Sequence, residues 1–254
     1  MHLSIDLNAD LGEGFGTYTA GDDQALLPYV SSANVACGFH AGDPRVMEAT
    51  VRSAAALGVA IGAHPGYPDL VGFGRRQLDA APAEIYTDVL YQIGALAAFC
   101  RAAGVALRHV KAHGALYNRA AVDVATAAAI VKAVRAFSTD LPVVAQPASA
   151  MFRQARAADQ PVMAEQFADR AVQQDGNLVP RRAAGALILE PELAAARALR
   201  MVTDRTMEAI DGSVIACEVD TICIHGDMPG AVARARAIRQ ALEAAGITVT
   251  APVR

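Results

Sequence analysis

Leu3-Ser-Ile-Asp-Leu-Asn-Ala-Asp-Leu-Gly-Glu-Gly-Phe-Gly16 is the stretch on which the reading of this chain turns. Apolar Leu3, Ile5 and Leu7 alternate with polar Ser4, Asp6 and Asn8, the two-residue period of a β-strand. Asp6 and Asn8 therefore point the same way, and Asp10 joins them if the strand runs that far. Gly12, Gly14 and Gly16 then turn the backbone sharply. A strand end bearing carboxylates and feeding a glycine-rich loop has the makings of one wall of an active site.

Working outward, short apolar runs alternate with alanine-rich helical stretches. Strands are expected at Ala33–Cys37, Val59–His64, Leu107–Lys111, Leu141–Gln146, Val162–Phe167 and Thr221–His225, with a short one at Ile247–Thr250. Helices are expected from Pro44 to about Leu57, over Pro82–Ala103, and at 120–137, 148–158, 191–203 and 229–245. Asp43 is a natural N-cap for the first, and Pro44 suits the first helical position, where its missing amide costs nothing. Ala168 to Gly185 reads as a polar loop. The alternation predicts a parallel sheet, and residues 1–254 read as a single domain without a linker or exact repeat.

Where the polar residues fall separates a seven-stranded, distorted β/α barrel from an open doubly wound sheet. Nearly every expected strand ends on a chemically capable group: Asp6, Asn8 and Asp10, then His40, His64, Lys111 and His113, Gln146, Glu165 and Asp169, and His225 with Asp227. Barrels build their active sites from several strand ends at the carboxyl face, whereas an open sheet furnishes only its switch point. The barrel is favoured.

Composition narrows the function. Hydrophobic residues make up 54% of the chain and charged ones 19%, enough apolar material for a large core. A formal net charge of -4 with no basic run argues against nucleic-acid and anionic-membrane surfaces. The first ten residues carry two Asp and no Lys or Arg, unlike a secretory signal, and the apolar run Ile93–Leu107 is interrupted by Arg101 and too short to span a bilayer. Cys37, Cys100, Cys217 and Cys223 lack Cys-x-x-Cys spacing and read as buried free thiols of a cytoplasmic protein.

Of the histidines, only His2 looks like a terminal bystander; the others sit in or just after expected strands. Strand periodicity aims His109, Lys111 and His113 to one side, and a lysine facing a barrel interior must be paired or functional, with Asp6 or Asp10 as the expected partner. Asp6-x-Asn8-x-Asp10 fails as a calcium loop, because Leu11 and Thr17 stand where Gly and Glu belong. The glycine run is not G-x-G-x-x-G, and neither a P-loop nor a G-x-S-x-G elbow is present. Cys37 near His40 reads as a core thiol ahead of a nucleophile–base pair. Asp10, His64 and His113 are the candidate ligands should a metal be bound, with no zinc spacing to support them. Arg170 and Arg181 flank the polar loop and suit a bidentate grip on a carboxylate or phosphate, equally a turn around Asp175-Gly176.

Ile5-Asp-Leu-Asn-Ala-Asp-Leu-Gly-Glu-Gly-Phe-Gly16, Ser32-Ala-Asn-Val-Ala-Cys-Gly-Phe-His-Ala-Gly-Asp43, Gly62-Ala-His-Pro65, Tyr91-Gln-Ile-Gly-Ala-Leu96, His109-Val-Lys-Ala-His-Gly-Ala-Leu-Tyr-Asn118, Phe167-Ala-Asp-Arg170 and His225-Gly-Asp227 together resemble the LamB/YcsF family over essentially the whole chain. The resemblance implies a barrel similar to polysaccharide deacetylases. It also implies ATP-dependent hydrolytic opening of the lactam 5-oxo-L-proline to L-glutamate by a 5-oxoprolinase, with two companion subunits, B and C. ATP with Mg2+ is the implied cofactor, bound by this chain or by the companions; a metal held directly and the oligomeric state, homo-oligomer included, stay open. Two departures stand out: Ala112 where members often have Pro, and Ala171-Val172 where Gly-Tyr is common, which removes a phenol.

On this reading Asp10, or Asp6 beside it, acts with His64 or His113 to activate water, and Lys111 stabilises charge on the oxygen. Arg170 or Arg181 holds the substrate carboxylate, and Asn8, His40, Asn118, His225 and Asp227 complete the candidate binding set. Lys111→Met is then expected to stop turnover and leave the fold intact. The rival readings are a stand-alone metal-dependent amide hydrolase or deacetylase, and a non-catalytic component that only binds 5-oxoproline.

Overall fold

Ile5, Leu7, Ala9 and Leu11 are buried, and so are Asp6, Asn8 and Asp10 between them. A strand covered on both faces belongs to a parallel sheet wrapped in helices. The structure, a computed structural model, describes residues 3–252, so His2 lies outside it. In chain order the elements are β1 (Ser4–Leu11), α1 (Asp23–Leu26), a 3-10 turn (Leu27–Tyr29), β2 (Ser32–Ala36), α2 (Pro44–Ala56), β3 (Ala60–His64), α3 (Pro82–Ala102) and β4 (Leu107–Val110). Then come α4 (Gly114–Val122), α5 (Val124–Phe137), β5 (Val143–Ala145), α6 (Ala150–Ala157), β6 (Val162–Phe167) and α7 (Pro191–Thr203). The chain finishes with β7 (Thr206–Glu208), β8 (Val214–Ala216), β9 (Thr221–His225), α8 (Ala231–Ala244) and β10 (Thr248–Val249).

Strands β1 to β6 pair in sequence order, β9 follows β6, and β9 pairs back onto β1, which closes a seven-stranded parallel barrel. The closing register runs from Asp6↔Thr221 to Asp10↔His225. Short β10 pairs with Ser4 and Ile5 at the start of β1, and β7 and β8 form an antiparallel hairpin outside the barrel. Helix α3 packs on α5 and α7 on α8 around the outside.

The boundaries follow local chemistry. Asp43 accepts from the Arg45 and Val46 amides at the start of α2, with Pro44 at its first position. The helix expected at 120–137 is two helices, because Asp123 has extended backbone, ends α4 and caps α5 through the Ala125 and Thr126 amides. α1 and the β7–β8 hairpin are additions to the expected elements; each is too short for periodicity to reveal.

The interior of this barrel is polar. The Asp6 carboxylate accepts from the Ser31, Ser32 and Thr221 hydroxyls at 2.7, 2.7 and 2.6 Å. Asn34 donates to Asn8 and Asp10 at 2.7 and 2.8 Å and faces His109 Nε2 at 2.7 Å. Such a core is tolerable only when its members are satisfied, since an unpaired buried polar group costs on the order of 1–3 kcal/mol. The apolar faces of the strands point outward, against the helices.

His109 fits because β3 carries Gly62 opposite it: a Cβ there would lie 2.1 Å from His109 Nε2. Gly62→Ala is therefore expected to lower unfolding free energy by about 1–3 kcal/mol, the usual cost of overpacking. An unchanged denaturation midpoint would show that the imidazole does not occupy this space. Burial, followed by the charge of Lys111, pushes His109 down to about 3. The unfolded histidine takes its proton near pH 6.5, at about the ordinary value, so this contribution to stability is complete above about pH 6.5 and is lost as pH falls toward the folded value. His109→Gln, which keeps a donor for Asn34, should flatten the decline of unfolding free energy between about pH 6.5 and about pH 4; matching slopes would contradict a neutral buried imidazole.

Candidate functional site

The chemically capable groups collect at the carboxyl ends of the strands, as barrel topology favours. Asp10 comes from the end of β1 and His64 from the end of β3. Beyond β4 the chain stays extended: Lys111 N donates to Ala63 O and His113 N to Pro65 O. That continuation keeps His109, Lys111 and His113 on one side of the strand. His225 closes β9, and Glu165 projects inward from β6.

Lys111 is the charge at the centre. Its ammonium lies 3.0 Å from Asp10 Oδ1 and 2.8 Å from Glu165 Oε1, with Asn8 Oδ1 at 3.3 Å and Cys223 Sγ at 2.9 Å. Burial works against its charge, but Asp10 above all, with Cys223 and Glu165, holds its pKa well above the ordinary lysine value. Asp10 shows the mirror image: burial opposes ionisation, and His64 and Lys111 overcome it to hold the carboxyl well below its usual range. Tyr117 donates to Glu165 Oε2 at 2.7 Å, and burial together with that carboxylate keeps the phenol protonated.

Beside this pair lies an imidazole cluster. His64 Nε2 is 3.4 Å from Asp10 Oδ2 and 3.0 Å from His113 Nδ1. His113 Nδ1 is 3.2 Å from Glu13 Oε1, and His40 Nε2 is 3.4 Å from the same oxygen. His40 stacks on His113 with ring centroids 3.7 Å apart. Burial, with His113 alongside, pushes His40 down to about 3. Glu13 is delivered by the glycine loop, pinned by Gly12 N to Asp23, Gly16 N to Asp43 and Gly42 N to Gly14 O. Gly74, with φ +61°, passes so close that a Cβ would lie 2.7 Å from His40 Cβ and 2.8 Å from His113 Cδ2. Glu13, His40, His64 and His113 form one group able to hold a metal, and Asp10, Cys223 and His225 a second.

These groups open onto a cavity of about 670 Å³ lined by Asp10, His64, Lys111, His113, Tyr117, Asn118, Gln146, Phe167, Arg170, Arg181 and His225, among others. A hollow of about 710 Å³ lies elsewhere, among Leu57, Arg108 and Val249, without a carboxylate or imidazole in its lining, so the chemistry belongs to the former. Arg170 is buried, donates to Val179 O at 2.8 Å, and has its pKa lowered by burial and by Arg181. Asp227 pairs with Arg75 at 2.7 Å and Arg181 at 3.7 Å. His225 is oriented by Asp169, 3.0 Å from its Nδ1. Asp6, Asn8 and His40 do not line the cavity: Asp6 is saturated by hydroxyls deep in the barrel, Asn8 belongs to the interior network, and His40 lies behind His113.

The polar loop is folded, with Arg170 bridging Leu187 and Val172 bridging Leu178, and it does turn at Asp175-Gly176, where Asn177 N donates to Asp175. Val172 is fully buried, so the side chain in that departure from the family pattern packs in the core. Three groups escaped the candidate set. Glu13 sits in a glycine run whose path has no period, Tyr117 lies on a helix after the His-Gly turn, and Arg75 lies in the irregular segment between β3 and α3. Glu165 was visible as a strand-end group, and only its distance to Lys111 gives it a partner.

The pattern that defines the LamB/YcsF family matches residues 5–254. A Chloroflexus aggregans protein, named as the A subunit of 5-oxoprolinase, is 57% identical over 250 residues, covering 98% of this chain and 99% of that one. The crystal structure of the lactam utilization protein from Thermus thermophilus superposes with a TM-score of 0.95 at 52% identity, covering 98% of this chain and 100% of that one. The catalytic domain of a peptidoglycan N-acetylglucosamine deacetylase from Eubacterium rectale shares the fold alone, with a TM-score of 0.51 at 14% identity over 98% of this chain and 88% of that one.

Because two carboxylates depend on one buried ammonium, Lys111→Met is expected to destabilise the fold by about 3–5 kcal/mol, which revises the expectation of an intact fold. Adding Glu165→Gln should restore part of the loss in denaturant unfolding. A single variant as stable as the wild type would mean that Asp10 and Glu165 find other compensation.

Proposed function

The chain belongs to the LamB/YcsF family, and we propose that it is the A component of an ATP-dependent 5-oxoprolinase, opening the lactam of 5-oxo-L-proline to L-glutamate together with companion subunits B and C. The name borne by relatives above half identity supports the substrate. The observation that carries the reading within this molecule is the ionised Asp10–Lys111 pair at the floor of a cavity with Arg170 and Arg181 in its lining.

A five-membered lactam is a resonance-stabilised amide, and its opening near neutral pH is slow and not strongly downhill. Transfer of a phosphoryl group from ATP to the amide oxygen, releasing ADP, would make the ring carbon electrophilic toward water. As water adds, the carbon–nitrogen bond breaks, the nitrogen gains a proton, and the acyl phosphate left behind is hydrolysed to the side-chain carboxylate and inorganic phosphate. Asp10, with His64 beside it at 3.4 Å, would hold the attacking water and draw off its proton. A positioned base of this kind contributes roughly 10²–10⁴ in rate. Asp6 leaves the role, since its oxygens are occupied by three hydroxyls. The contacts around Lys111 with Asp10, Glu165, Asn8 and Cys223 support two parts for it: keeping Asp10 ionised, and offering positive charge to the reacting oxygen.

Arg170 and Arg181 suit the ring carboxylate, with Asn118, His225 and Arg75 lining the same cavity and Asp227 paired to Arg75 outside its lining. ATP and its Mg2+ are assigned to the complex; no stretch of this chain matches a P-loop, so any nucleotide held by this chain would bind without one. Among the described residues no helix is long and apolar enough to cross a membrane, and cytoplasmic residence is part of the proposal.

Mixing the chain with subunits B and C and following ATP- and 5-oxoproline-dependent glutamate release tests the reading. Asp10→Asn, close in shape, should lower that release by at least about 10²-fold while a melting curve shows a folded chain. Undiminished turnover by the variant would remove Asp10 from the chemistry, and full activity of B and C alone would remove the chain from it.

A further inference from the structure

The hydrogen bonds around His64 and His113 leave a charge unaccounted for. His64 Nδ1 lies 2.8 Å from Lys111 O, and His113 Nε2 lies 2.8 Å from Phe73 O. A carbonyl only accepts, so both nitrogens carry the proton of their neutral ring. The other two, His64 Nε2 and His113 Nδ1, then present lone pairs to each other across 3.0 Å. Two acceptors hold that separation only with a positive species between them.

Glu13 and His40 supply a second, independent observation. Glu13 Oε1 and both ring nitrogens of His40 are buried without a hydrogen-bond partner, and the two side chains are 3% and 0% exposed. Glu13 Oε1 lies 3.2 Å from His113 Nδ1, so the bare carboxylate oxygen faces the same space as the two lone pairs.

We propose that Glu13 Oε1, His64 Nε2 and His113 Nδ1 hold a divalent cation of the zinc class at the inner wall of the cavity. Ligand atoms about 2.0–2.1 Å from a tetrahedral ion stand roughly 3.3 Å apart, close to the 3.0 and 3.2 Å observed. Two imidazoles and one carboxylate form a donor set that zinc accepts with a fourth position open. Each imidazole gives its remaining N–H to a backbone carbonyl, the support that fixes a ligating ring. His40 lies flat on His113, so it packs that ring and faces Glu13 as a positioning residue. His64 and His113 both line the cavity, which puts the open position toward whatever occupies it. The site stands whatever the substrate proves to be.

The test is metal binding by the full chain, stripped with chelator and re-equilibrated with Zn2+ or Co2+. About one ion per chain is expected, with intense visible absorption for the Co2+ form and a higher melting temperature when Zn2+ is added. Glu13→Gln and His64→Gln, each checked for folding by circular dichroism, should weaken binding at least about tenfold and lose the thermal shift. If the variants fail to fold, the wild-type content and Co2+ spectrum decide alone. Less than about 0.1 ion per chain in excess Zn2+ and Co2+ overturns the proposal and leaves a proton bridging the two imidazoles. Undiminished binding by a folded Glu13→Gln, His64→Gln double variant overturns it as well.

Discussion

A single buried ammonium organises this barrel. Lys111 sits within 3.0 Å of Asp10 and Glu165, groups from different strands, and all three are almost fully excluded from solvent. Removing such charges from water is expensive, and their mutual attraction offsets that cost only when the geometry is good and the other lone pairs are satisfied. Asn8, Asn34, Tyr117 and Thr221 meet that condition by donating or accepting around the pair. The arrangement therefore specifies the barrel more than it stabilises it: a shift of one residue in any of these strands would send a charge out among the helices.

That inversion of the usual pattern gives the fold its function. Layers of branched apolar side chains fill most barrels of this kind. Here the apolar side chains of β1 lie against the helices, and carboxylates, amides and imidazoles occupy the interior. His64 and Lys111 keep Asp10 ionised against its burial, while burial keeps Tyr117 and His109 neutral. The same strands carry the network from the hydroxyl-bound Asp6 up to a cavity whose lining sets Arg75, Lys111, Arg170, Arg181 and Arg182 against the carboxylate of Asp10. Charge complementarity at that cavity favours a small anionic substrate.

The loops are held as firmly as the strands. Asp23 and Asp43 fasten the glycine run to neighbouring elements, and Gly74 brings the 65–76 loop against His40 and His113. Pre-organised donors and charges cost no rearrangement when a reaction begins. Glycine is what permits this density, because any side chain at Gly62 or Gly74 would fill the space a histidine requires.

Much of this was written in local pattern. The alternation through Leu3–Asp10, the Asp43-Pro44 start of α2 and the polar ends of successive strands are short-range features, and they determined the parallel barrel and the face on which Asp10, His64, Lys111 and His113 lie. Periodicity states which way a side chain points from its strand and says nothing of its depth along the barrel axis. Depth depends on stagger, set by pairings such as Asp6↔Thr221 and Asp10↔His225 between segments more than 200 residues apart. For that reason only the tertiary structure separated Asp6, sealed under hydroxyls, from Asp10 at the cavity. The approach of Glu13 to three imidazoles was equally invisible, because a glycine-rich loop has no period from which its direction can be read.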